Sequence, residues 1–192
     1  MHSSLFFALR PKPEEAAQVA SFSGEIGIPM KPVAPERLHL TLGYCEDRPH
    51  YPHEEEKLMI GIGDALLGSP FVLRLDTLSG TSRLLMLKPG KCPEELAAIQ
   101  ARLTKALLEQ GLLEKKPKFS PHVTLAYAPK GGFSFGPEIT IGHGSGTSFR
   151  RPIEPLVWNV EEIALVHSRY GASRHDEIRR WRLESPQQMG LL

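Results

Sequence analysis

The feature that most constrains this chain is a short phrase that occurs twice. Residues 37–44 read Arg37-Leu38-His39-Leu40-Thr41-Leu42-Gly43-Tyr44, and residues 121–127 read Pro121-His122-Val123-Thr124-Leu125-Ala126-Tyr127. Both copies carry His-x-Thr-x with apolar x, then a small residue and a tyrosine. Alternation with period 2 specifies a strand with one apolar and one polar face. On that pattern Leu38, Leu40 and Leu42 point into a core, while His39, Thr41 and Gly43 line the open side. In the second copy Val123 and Leu125 point inward, and His122, Thr124 and Ala126 share the open face. Gly43 and Ala126 are then expected to leave room for a ligand beside each imidazole.

One His and one Thr on a strand are ordinarily just the exposed half of an amphipathic strand. Two copies in the same register imply two equivalent lobes that bring equivalent strands together across a cleft. Two facing imidazoles, each with a hydroxyl beside it, are the equipment for an in-line displacement. One His acts as general base and the other as general acid, while the Thr hydroxyls hold non-bridging oxygens.

With its flanks, the paired motif resembles the two-histidine (2H) phosphoesterase superfamily. Within that group the chain is most similar to the bacterial RNA 2′,3′-cyclic phosphodiesterases, also called 2′-5′ RNA ligases. The resemblance covers nearly the whole chain: Leu5-Phe6-Phe7-Ala8-Leu9-Arg10-Pro11 is similar to the family's opening strand, Pro35 to Leu42 to its first motif, Phe119 to Ala126 to its second, and Ile163 to Ser168 to a strand near its end. It implies one bilobal α+β domain over 1–192, with two similar lobes of antiparallel sheet backed by helices and a pseudo-twofold cleft between them. The implied activity is opening of RNA 2′,3′-cyclic phosphate ends to 2′-phosphates, with neither metal nor cofactor; the reverse reaction would be 2′-5′ ligation. His39 would be proton donor to the 3′ oxygen, His122 proton acceptor from water, and Thr41 and Thr124 donors to the phosphoryl oxygens. The near-symmetry of the motifs leaves open, from the residues alone, which His takes which role. The same constellation would serve a phosphodiesterase of small cyclic nucleotides or 2′-5′ oligonucleotides, and a non-catalytic RNA-end-binding module would also carry it. The chain departs from its relatives at Gly43-Tyr44-Cys45-Glu46-Asp47, where a bulkier residue followed by Phe-Leu-Gly is common, and at Tyr127, where many carry Arg.

Charge and cysteine usage narrow the class. Lys plus Arg total 23 against 22 acidic residues, so no broad basic footprint for long nucleic acid is expected; a local pocket for a nucleotide end is compatible. Cys45 and Cys92, alone and far apart, argue against a disulfide framework and for a reducing cytoplasm. No apolar run approaches the roughly 18 residues of a membrane span. A monomer is expected, because the site needs only one chain.

Periodicity predicts a strand over 4–9 and a helix from the Pro11-Lys12-Pro13 segment to Gly24. A polar loop over 45–53 leads to a helix over 54–67. Two strands, 71–75 and 82–87, are expected to join around Ser79-Gly80. The strongest helix is 93–110, with Leu96, Ile99, Leu103 and Leu107 as an apolar stripe. Loops and short strands are expected across 129–155, then strands over 157–166 and 178–183. Further candidates for substrate binding are Arg83, Arg169 and Arg174, with Tyr44 and Tyr127 as stacking rings. Strict alternation puts both tyrosines on the core side, which favours packing. Lys115, Lys116 and Lys118 read as a solvated loop that could gather phosphate. His50 and His53 read as surface residues without metal-ligand spacing, His143 as solvated, and His167 as structural.

Overall fold

The computed structural model describes residues 3–27, 30–132, 143–145, 148–169 and 174–184. Its elements are β1 (Ser3–Leu9), α1 (Pro13–Ile26), β2 (Lys31–Pro32), β3 (Leu40–Tyr44), α2 (His53–Asp64), β4 (Phe71–Thr81), β5 (Leu84–Lys88), α3 (Glu94–Glu109), β6 (Val123–Tyr127), β7 (His143–Ser145), β8 (Ser148–Val160), β9 (Glu162–Arg169) and β10 (Arg174–Arg182). All strand pairs are antiparallel and follow the order β10-β9-β1-β3-β6-β5-β4-β8-β7, with β2 on β6. The path divides at the β3–β6 seam into two similar four-stranded halves, with β7 added at one edge. The seam is narrow, carried by the single register pair Leu40↔Val123. The fold is therefore α+β with two equivalent halves, as the repeated phrase implies, but one sheet path runs through both.

The helices are exchanged between the halves. Helix α1 follows β1 in the chain yet packs on β6 and β8; α3 follows β5 yet packs on β3. The apolar stripe of α3 (Leu96, Ile99, Leu103, Leu107) is buried, Glu94 and Glu95 face the positive end of its dipole, and Gly111 follows it with φ 68°. Buried Glu15 pins α1 from inside: its carboxylate accepts from the Lys12 N–H (2.8 Å) and from the Asn159 N–H of β8 (2.6 Å). Gly27, in the left-handed region at φ 65°, ends α1 three residues beyond Gly24.

Several strand boundaries differ from expectation. Strand β4 runs through Ser79-Gly80 to Thr81, and the reversal falls at Ser82-Arg83 instead. A hydroxyl makes this turn: Thr81 Oγ1 accepts from the N–H of Arg83 (3.2 Å) and of Leu84 (3.1 Å). The stretch 157–166 is two strands broken at Glu161, whose carbonyl accepts from the Leu183 N–H at 2.7 Å. Strand β8 begins as early as Ser148 despite Pro152 and Pro155. Its register against β4 shifts between Leu75 and Thr77, which admits the prolines at an irregularity. The strand expected over 178–183 is the C-terminal part of β10. The expected loop at 133–142 and the Gly142 and Gly146 positions lie outside the described residues, as does the side chain of His143. No helix among the described residues is long and apolar enough to cross a membrane.

Candidate active site

Both motif strands contain the same bulge. Ala8 pairs with Thr41 and Phe7 with Gly43, so Leu42 has no partner on β1. Met86 pairs with Thr124 and Leu85 with Ala126, so Leu125 has none on β5. An extra residue slips the alternation by one. The two strands consequently share one burial sequence: buried, half-buried, buried, buried, exposed.

The bulge corrects two expectations. Gly43 and Ala126 face the core instead of the open side. A Cβ on Gly43 would sit 2.9 Å from Leu107 Cδ1, so the glycine admits α3 against β3, and Ala126 belongs to the buried core. Tyr44 and Tyr127 emerge on the open side, 43% and 44% exposed, and both line the same cavity.

The pairing of Leu40 with Val123 sets His39 opposite Thr124 and Thr41 opposite His122 in the antiparallel register, all four on the face away from Leu40 and Val123. Directly opposite residues in such a pair lie about 4.5–5.5 Å apart at Cβ. Each imidazole is held alike. His39 Nδ1–H donates to the Arg37 carbonyl at 2.7 Å, and His122 Nδ1–H donates to the Ser120 carbonyl at 2.8 Å. A carbonyl can only accept, so each ring carries its fixed proton on Nδ1 and keeps Nε2 for proton exchange.

The surroundings of His39 add detail that the motif does not contain. A cavity of about 540 Å³ is lined by Ser4, Phe6, His39, Thr41, Tyr44, Glu46, Asp47, Tyr127, Ser168 and His175. The Phe6 ring lies 5.0 Å from His39, and the His175 ring lies 5.1 Å away at 76°. Burial holds the His39 pKa below the ordinary histidine value; the Arg37 hydrogen bond opposes this, and the charges of Arg10, His122 and Arg37 reinforce it. His175 was not among the sequence candidates. It reaches the site through register alone, in a row with Ser168 and Ser4 across β10, β9 and β1.

The remaining candidates separate. Arg83 lies outside the His39 cavity, in an adjoining hollow of about 670 Å³ that also holds Lys130 and shares Tyr127 as its wall. Arg169 does not line the cavity; it pairs with Asp176 at 3.4 Å, and Arg174 is held by the same carboxylate. Arg179 pairs with Asp64, and Arg180 with Glu162 and Glu177. His167 is buried, hydrogen-bonded to the Ser3 hydroxyl and packed on Tyr51, a structural place as expected. His53 opens α2 against Tyr51, His50 is exposed, and Lys115, Lys116 and Lys118 are exposed.

Two equivalent antiparallel halves, with a threonine on each seam strand and a histidine just before it, define a two-histidine phosphoesterase fold. The sequence profile of the 2′-5′ RNA ligase superfamily matches residues 11–172, and the chain belongs to that superfamily. Among solved structures, one described as a phosphoesterase superposes with TM-score 0.73 at 23% identity, over 96% of this chain and 100% of the other. E. coli LigT complexed with 3′-AMP gives 0.72 at 23%, over 96% and 100%. TT0787 of Thermus thermophilus gives 0.69 at 23%, over 94% and 97%. At such identities these likenesses show the fold. No curated protein matches the chain significantly.

Proposed function

We propose that the chain hydrolyses RNA 2′,3′-cyclic phosphate ends to 2′-phosphates by metal-independent acid–base catalysis, and that a 5′-hydroxyl attacking phosphorus in place of water gives reversible 2′-5′ ligation. The observation that carries this reading is the matched pair of imidazoles, each anchored through Nδ1 on one face of the seam, with a threonine opposite each. Water attacks phosphorus as the bond from phosphorus to the 3′ oxygen breaks. His122 Nε2 takes the proton from water, and His39 Nε2–H delivers one to the departing 3′ oxygen. Thr41 and Thr124 hydroxyls donate to the phosphoryl oxygens, where negative charge accumulates. Each proton transfer contributes about 10²–10⁴-fold. The depressed pKa of His39 favours its neutral form before substrate binds. A cyclic phosphate monoanion beside it pulls the other way, and the resulting imidazolium is a strong acid toward an alkoxide.

E. coli LigT is seen complexed with 3′-AMP, ATP and phosphate, which supports a nucleotide as the ligand of this cleft. The exposed Tyr44 and Tyr127 rings are platforms on which a base can stack. Arg83 and Lys130, which share a hollow with Tyr127, offer positive charge to backbone phosphates upstream of the end. A second reading, a phosphodiesterase of small cyclic nucleotides, draws on Glu46 and Asp47 in the cavity wall, because carboxylates there repel a phosphate chain.

The test uses an RNA oligonucleotide and a mononucleoside, each bearing a 2′,3′-cyclic phosphate, in excess EDTA. The expected result is chelation-resistant conversion of the oligonucleotide to its 2′-phosphate. Turnover of the mononucleoside alone would favour the small-nucleotide reading. Binding of RNA ends without turnover of either would replace the enzyme by an RNA-end-binding module.

A further inference from the structure

We infer that His175 is a positioning residue for His39, packing edge-to-face against its imidazole so that the ring plane is set from two sides. This rests on the reading of His39 as the proton-transferring group. A single hydrogen bond, from Nδ1 to the Arg37 carbonyl, fixes one atom of the His39 ring and leaves its tilt free. Two neighbours remove that freedom. Phe6 lies 5.0 Å from His39 at 38°, and His175 lies 5.1 Å away at 76°. The triangle is closed by the Phe6–His175 contact, 5.4 Å at 74°. These spacings are those of edge-to-face and offset ring pairs, which resist rotation of either member.

Strand β10 delivers the third ring. His175 pairs with Ser168 of β9, and the start of the strand is fastened by Asp176, which holds both Arg169 and Arg174. His175 also lines the cavity, so replacing it opens the far side of His39 to water. Burial pushes its pKa down to about 4, and repulsion from His39, Arg37 and Arg10 acts in the same direction against Asp176. At neutral pH the ring is therefore uncharged and can lie against His39 without electrostatic cost. His39 itself is faced by Arg10, Arg37 and His122, whose charges disfavour its protonation.

The experiment is a histidine NMR titration of the parent, His175→Ala and His175→Phe in the absence of substrate, paired with kcat and KM on a 2′,3′-cyclic phosphate. His175→Ala is expected to move the His39 titration up toward the ordinary histidine value as water enters. It should lower kcat by about 10–100-fold, since small displacements of a reacting group cost that much, with little change in KM. His175→Phe, which keeps a ring of similar size, should restore both. If His175→Ala does not fold, His175→Ser, which also removes the ring and admits water, takes its place. An unchanged His39 titration in every variant would overturn the inference. So would a His175→Phe as impaired in kcat as His175→Ala, because the nitrogens rather than the packing would then matter. The titration needs no turnover, so it reports on positioning even if the cyclic phosphate proves not to be the substrate.

Discussion

Strands β3 and β6 are alike in backbone and unlike in setting. Each begins one residue after its histidine, bulges at the leucine that follows its threonine, and ends on an exposed tyrosine. Each histidine is tied to the carbonyl two residues upstream. Around His39, however, stand Phe6, His175, Arg10 and Arg37, which desolvate it and oppose its protonation. Beyond Tyr127 the second half instead opens toward Arg83 and Lys130, whereas the Tyr44 side presents Glu46 and Asp47. The repeat therefore supplies two imidazoles held alike, and the unshared neighbours give them unlike surroundings.

The largest effect expected from breaking the equality is at the histidines: His39→Ala and His122→Ala should each lower kcat by about 10²–10⁴-fold. If one were silent in a turnover assay, the two copies would not be partners in one step. Next come the hydroxyls. Thr41→Val and Thr124→Val should each cost on the order of 10²-fold in kcat, as expected for a lost donor to developing charge, with KM little changed.

The acid side of the stability curve sharpens the contrast between the settings. His39 and His175 bind protons less readily folded than unfolded, so their contribution is complete above the ordinary histidine pKa of 6.5 and is lost as pH falls below it. For His175 the loss continues down to about pH 4. His175→Phe should be less acid-sensitive than the parent between neutral pH and pH 4 in urea unfolding, by about 1–2 kcal/mol once solvent screening of the half-buried ring is counted. An equal decline in both proteins would remove His175 as a half-buried neutral base.

A smaller effect separates the two small residues at the bulges. Gly43→Val should destabilise by about 1–3 kcal/mol through overpacking on Leu107 of α3, measured by denaturant titration. Least of all, Tyr44→Ala and Tyr127→Ala should leave the melting temperature unchanged and raise KM by the equivalent of about 1 kcal/mol of lost stacking.

Both seam strands, and the shared face of His39, Thr41, His122 and Thr124, were legible because period-2 alternation is a local property. The bulges were not, because they arise from how β3 meets β1 and β6 meets β5. One unpaired residue in each strand sends Gly43 and Ala126 inward and Tyr44 and Tyr127 outward, against strict alternation. The Thr81 turn was missed because Ser79-Gly80 looks like turn chemistry, while the hydroxyl that closes the reversal stands just after it. His175 carries no local signal at all; its place depends on the register of β10 on β9 and of β9 on β1. The pairing of Arg169 with Asp176 across the β9–β10 hairpin is likewise a matter of strand register that the local sequence does not carry.

The most direct test of unequal roles in a duplicated site is the pH dependence of kcat/KM for a 2′,3′-cyclic phosphate, in the parent and in the residual activity of each histidine variant. The parent should give a bell with one limb below the ordinary histidine value of 6.5, set by His39. His39→Ala should lose the fall at high pH, where a proton donor empties, and His122→Ala should lose the fall at low pH, where a proton acceptor fills. A parent profile flat across the histidine range, or a bell that survives in both variants, would contradict the account.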